Sequence, residues 1–216
     1  MSNFESFNIP TKVHGSFLIQ ESKNKRPSPL LIGFHGYGET AEDQLLLLQN
    51  IPRIENWTVC SVQALHPFYN TRAKIGYCWM TSQNRELHIQ ENVNYVNTVV
   101  SEIKKSYRIN DTIVFHGFSQ GTSMACRAAL LGKFKPSGVI LLGGDIPPEM
   151  EQIDKMNRIL LARGKKDKFY SSIRWKNDVA LVKKSNIESC VCEFNGGHGG
   201  HEDYYNTVGD FLEHYI

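Results

Sequence analysis

One short stretch of this chain has the residue types and spacing for nucleophilic catalysis: HGFSQGTS, at 116–123, sets Ser119 between Gly117 and Gly121 directly after an apolar run. A serine presented on a tight strand-to-helix turn needs glycines two positions before and two after it, because side chains there collide with the neighbouring strand and helix. A hydroxyl is a poor nucleophile near neutral pH. It needs a histidine to take its proton and a carboxylate to fix the imidazole tautomer and stabilise the imidazolium. Asp167, in RGKKDK, and His198, in NGGHGGHED, follow Ser119 in the order serine, acid, histidine, each a few residues past a further apolar run. Singly, each has a plain reading: a helix-capping serine, a solvated charge, a loop histidine. Together they are read as a triad.

Such residues need rigid elements beneath them. Six apolar runs, at 30–36, 57–65, 112–119, 137–144, 158–164 and 188–194, have the composition of strands covered on both faces. Between them Ile89, Val93, Val96, Val100 and Ile103 recur at helical spacing. TAEDQLLLL opens another helix, with Thr40 as N-cap and Asp43 in its first turn. Val208, Phe211, Leu212 and Tyr215 give the stripe of a last one. Strand–helix alternation predicts an α/β architecture around a mainly parallel sheet, with VHGSFLIQES added as an antiparallel edge strand. A sheet of this kind places its binding crevice outside the carboxyl ends of the strands. His35 to Gly38, Ser119, Asp167 and His198 all fall at such ends.

Composition narrows the function classes. The 216 residues suffice for one globular domain spanning 1–216, and a net charge of +2, from 24 basic and 22 acidic residues spread along the chain, makes no basic face for nucleic acid. No stretch approaches a membrane span, and the opening MSNFESFNIPTKVHG has no leader pattern, so no stable membrane insertion and a cytoplasmic location are expected. Cys60, Cys78, Cys126, Cys190 and Cys192 form no C-x-x-C pair and read as reduced thiols. His198, His201, Glu202 and Asp203 lack the i, i+4 histidine pair of a helical zinc site, so no metal is called for. The run at 66–80 carries Phe68, Tyr69, Tyr77, Trp79 and Met80, too many large apolar groups for a simple solvated loop. Two readings are open, that these groups wall an acyl pocket or that half of them are simply core, with Trp79 the leading pocket candidate beside Tyr77 and Phe68. Only DIPPEMEQIDKMN separates the runs ending at 144 and starting at 158, which leaves no room for a large lid.

FHGYGETAEDQL, IGYCWM, HGFSQGTSMA, LLARGKKD and GGHGGHEDYYNTVGDFL together resemble the phospholipase/carboxylesterase family of α/β-hydrolases, which includes the acyl-protein thioesterases, over about residues 28 to 216. The resemblance implies an α/β-hydrolase fold and a serine hydrolase acting on carboxylic esters or thioesters, with catalytic Ser119, Asp167 and His198. It also implies an oxyanion hole made by the backbone N–H groups of Tyr37 and Gln120, and no cofactor. Glycines at 36 and 38 and the helix opened by Gln120 suit that role. Thr122 and Arg163 depart from the family pattern, which puts the closeness of helix packing in question at Thr122. His201 is the alternative base; spacing to Phe211 and Leu212 in these hydrolases favours His198. A small acyl substrate is the expected partner, with a homodimer open. Two other readings stand beside this one. The first is a binding module that keeps the fold without turnover. The second is a dienelactone-type hydrolase, disfavoured because its nucleophile is a cysteine.

Overall fold

The computed structural model describes residues 4–215 apart from positions 25, 72 and 151. All six apolar runs form strands: β2 (Ser28–Phe34), β3 (Thr58–Val62), β6 (Ile109–Phe118), β7 (Gly138–Leu142), β8 (Arg158–Gly164) and β9 (Glu188–Phe194). They pair in parallel in the order β3-β2-β6-β7-β8-β9. The edge strand β1 (Phe17–Gln20) closes the near side, antiparallel to β3 with Phe17 opposite Val62.

Both faces of this sheet are covered, and alternation along each strand sorts the residues. Leu30, Ile32 and Phe34 point to one core, and Leu31 points to the other. The first core is covered by α2 (Arg85–Ser106), α3 (Gln120–Leu131) and α4 (Ser172–Lys184), through Val93, Val96, Val100, Ile103, Met124 and Trp175 among others. The second lies under α1 (Ala41–Leu48) and α5 (Glu202–Glu213), which contribute Leu48, Tyr204, Val208, Phe211 and Leu212. Thr40 caps α1 in a full capping box with Asp43. This is the α/β-hydrolase architecture, and among the described residues no large lid covers it.

The run at 66–80 folds differently from a loop. Its residues make a separate antiparallel hairpin, β4 (His66–Tyr69) with β5 (Ile75–Cys78), bridged to the main body where Glu39 pairs with Tyr77. Among the described residues no helix is long and apolar enough to cross a membrane.

Candidate active site

Ser119 sits at the end of β6 with φ 52° and ψ −117°, a left-handed conformation unusual for a residue with a side chain. Its N–H donates to the Leu142 carbonyl of β7 at 2.9 Å, and α3 begins at the next residue. The flanking glycines are sterically required. A Cβ on Gly121 would run into the Phe34 carbonyl of β2, and one on Gly117 into the Gly121 carbonyl. Thr122 is accommodated: its hydroxyl donates to the Ser119 carbonyl at 2.7 Å, and it packs against Gly144, where a Cβ would strike that hydroxyl. Helix packing is therefore close despite the threonine.

Loops after β8 and β9 bring the other two residues alongside. Lys165 N–H donates to the Phe194 carbonyl and Lys166 N–H to the Gly196 carbonyl, at 2.8 and 2.9 Å, which ties the two loops together. His198 Nε2 stands 2.9 Å from Ser119 Oγ, and its Nδ1 stands 2.8 Å from Asp167 Oδ2. The buried Asp167 accepts two further bonds on Oδ1, from the N–H groups of Phe169 (2.8 Å) and Tyr170 (3.0 Å). With a carboxylate oxygen facing Nδ1, that nitrogen carries the ring proton and Nε2 is left to accept from the serine hydroxyl. Phe118 and Phe169 flank the imidazole, each with ring centroids 4.9 Å away.

His201 is elsewhere engaged. It caps α5 by accepting the Asp203 N–H at Nδ1 (3.2 Å) and stacks on Phe194 at 5.4 Å. No group of three or more His, Cys, Asp or Glu among the described residues is placed to hold a metal ion.

In the turn between β2 and α1 the amides on either side of Tyr37 are pinned. Gly36 N–H donates to Glu39 Oε2 at 2.8 Å, Gly38 N–H to the Tyr77 carbonyl at 2.8 Å, and Glu39 N–H to the Gly36 carbonyl at 3.3 Å. Tyr37 N–H has no protein acceptor among the described residues, and neither does the N–H of Gln120 at the start of α3. The side chain of Gln120 is committed: Oε1 accepts from Trp79 N–H and Nε2 donates to the Met80 carbonyl, both at 2.9 Å. Below the turn His35 is wholly buried, and burial lowers its pKa. Its Nε2 accepts from Ala64 N–H (3.1 Å), so Nδ1 donates to the Gly36 carbonyl (2.7 Å) and holds the Gly36–Tyr37 peptide in place.

The cleft over Ser119 has a volume of about 370 Å³ and is lined by Gly36, Tyr37, Glu39, Phe118, Ser119, Phe169 and His198. Of the three residues expected to wall an acyl pocket, none lines it. Trp79 is 1% exposed, edge-on to Phe34 at 5.5 Å, and its indole N–H donates to the His35 carbonyl at 2.9 Å; it is core beneath the turn. Tyr77 is half-buried against that same core and acts through its backbone. Phe68 reaches the rim only indirectly, with its ring 4.9 Å from that of Tyr37. Besides Tyr37, the aromatic residues lining the cleft are Phe118 and Phe169, near neighbours in sequence of Ser119 and Asp167, and that adjacency is the signal by which they could have been found.

A serine on a strained strand-to-helix turn, at the carboxyl edge of a mostly parallel sheet covered on both faces, defines the α/β-hydrolase class. The chain belongs to the phospholipase/carboxylesterase family, whose model matches residues 15–216, and it is thus a hydrolase of the esterase type. Solved structures share the fold. Esterase PE8 is similar with a TM-score of 0.75 at 18% identity, covering 94% of this chain and 100% of that one. The Bacillus cereus carboxylesterase gives a TM-score of 0.75 at 18% identity, over 94% and 95% of the two chains. The Zea mays acyl-protein thioesterase 2 gives 0.71 at 18%, over 93% and 99%.

Proposed function

We propose that this protein hydrolyses small carboxylic esters or thioesters through an acyl-enzyme on Ser119. The observation that carries the reading is the unbroken chain from Ser119 Oγ through His198 to Asp167, beside a turn whose Tyr37 N–H has no acceptor among the described residues. In this reading His198 Nε2 takes the serine proton as Oγ bonds to the acyl carbon. The carbonyl π pair moves onto oxygen, where Tyr37 N–H and Gln120 N–H stabilise it. When the intermediate collapses, the acyl–oxygen or acyl–sulfur bond breaks and the departing group takes the proton from His198. Water, deprotonated by the same nitrogen, then releases the acid and restores Ser119. Asp167, fixed by two backbone donors on Oδ1, holds the ring in the tautomer that accepts.

A fluorophosphonate probe tests the reading directly. It is expected to label Ser119 in the wild type and nothing in Ser119→Ala, while the variant keeps its circular dichroism and loses at least ~10³ of kcat on a panel of esters and thioesters of varied acyl length. Wild-type protein that neither labels nor turns over any member of the panel would mean a binding module on a hydrolase fold.

A further inference from the structure

Among the residues lining the cleft, Glu39 has a carboxylate that the proposed reaction does not use. Its Oε2 accepts the Gly36 N–H at 2.8 Å, and its own backbone is bonded to Gly36 and to Tyr77. Moving the side chain away from the mouth would cost the turn its bond to the Gly36 N–H. The other oxygen, Oε1, has no partner among the described residues. The same cleft is lined by the aromatic residues Tyr37, Phe118 and Phe169, and Glu39 itself is only partly exposed there, so its charge is less screened than on an open surface.

Among the described residues no cation forms an ion pair with Glu39. Lys165, Lys166 and Lys168 are exposed on the segment after β8, and none lines the cleft. The groups that act on the carboxyl are Asp43 and His198. Burial pushes its pKa above the usual glutamate range; the Gly36 N–H opposes this, Asp43 adds to it, and His198 opposes it. A negative charge fixed beside the turn also works against the oxyanion that develops there. A positive charge carried by the substrate would offset that cost and find aromatic faces to rest on.

We propose that Glu39 is a specificity-determining residue, which directs the site toward esters or thioesters bearing an ammonium or quaternary amine near the scissile bond and against anionic ones. The inference rests on the esterase reading of Ser119. One charge pair across a half-exposed cleft is worth about tenfold in kcat/KM.

The test compares butyryl esters of choline, of its uncharged isostere 3,3-dimethylbutanol and of the anionic alcohol isethionate, with a parallel set carrying the charge on the acyl chain. Wild type and Glu39→Gln are measured, the glutamine keeping an oxygen for the Gly36 N–H. The readout is the cation-to-neutral ratio of kcat/KM, which cancels losses common to both substrates. The expected wild-type ratio is about tenfold for the set whose charge faces Glu39, dropping to near unity in Glu39→Gln. In the wild type the ratio is also expected to decline as pH falls through the raised glutamate pKa, because the charge exists only above it. A wild-type ratio near one in both sets, or the same ratio in both proteins, overturns the proposal with the esterase reading intact. Failure of the wild type on the uncharged ester as well overturns both. If Glu39→Gln does not fold, the wild-type ratio and its pH dependence still decide.

Discussion

His198 and His201 lie three positions apart in one glycine-rich loop, and their surroundings give them separate tasks. His198 is flanked by Phe118 and Phe169 and reaches Ser119 and Asp167, whereas His201 is spent on the Asp203 N–H and the face of Phe194. His198→Gln is therefore expected to lose activity about as severely as Ser119→Ala, on the order of 10³ or more, with the double variant little worse, since such residues act as a unit. His201→Gln should keep most of its kcat and lose about 1 kcal/mol of stability as a weakened helix cap. Steady-state kinetics and urea denaturation of the two variants check this, and an inactive but well-folded His201→Gln would reverse the roles. The glycine spacing around Ser119 was legible in sequence because it answers a local steric demand, at Phe34 and Gly121, that admits no other residue. The walls of the cleft were not, because an aromatic residue looks alike in sequence whether it faces a core or a mouth. Trp79 and Phe169 differ only in which side of the turn the fold puts them: Trp79 is 1% exposed and Phe169 75%.

At the scale of elements, parallel strands and long helices announce themselves and the small hairpin does not. β2 and β6 to β8 are buried for most of their length, and α2 repeats its valines at helical spacing. β4 and β5 are four residues each, half-exposed and joined to the body mainly through Glu39 and Tyr77, so neither a long apolar run nor a clean alternation marks them. α4 is similarly faint, with only Trp175, Asp178 and Val182 buried in thirteen residues. What the hairpin does is carry Trp79 under the turn, where its indole supports the His35 carbonyl and its backbone meets the side chain of Gln120. Trp79→Ala is accordingly expected to cost roughly 3–5 kcal/mol of stability, the range for a fully buried aromatic, and to lower kcat/KM by a similar factor for acetyl, butyryl and octanoyl esters. A shift in chain-length preference with stability intact would instead return Trp79 to the substrate wall.

For the whole molecule, the strand that ends at Ser119 is joined to the helices on one face through a buried histidine. His116 Nδ1 accepts from Gln44 Nε2 of α1 at 2.9 Å, and its Nε2 donates to Tyr204 Oη of α5 at 2.5 Å. Neutral imidazole satisfies both contacts; a second ring proton would have to displace the Gln44 amide. Burial accordingly pushes the His116 pKa down to about 3 from 6.5, with His35 lowered for the same reason. The sign follows from proton uptake. Between 6.5 and about 3 the unfolded chain binds a proton at position 116 and the native one does not, so the contribution is complete at neutral pH and is lost as pH falls through that window. Glu149, held low by Arg127 and Arg85 against the effect of its own burial, acts in the same direction, whereas Asp178, raised by burial, acts in the opposite one. Comparing wild type with His116→Gln removes both. The variant is expected to be less stable at pH 7, yet its unfolding free energy should fall less steeply on acidification, by up to about 1.4 kcal/mol per pH unit between pH 6 and 4. Urea titrations at half-unit intervals measure the two slopes, and parallel slopes would mean that His116 is protonated in the native protein and that the Gln44 and Tyr204 contacts adapt to its charge.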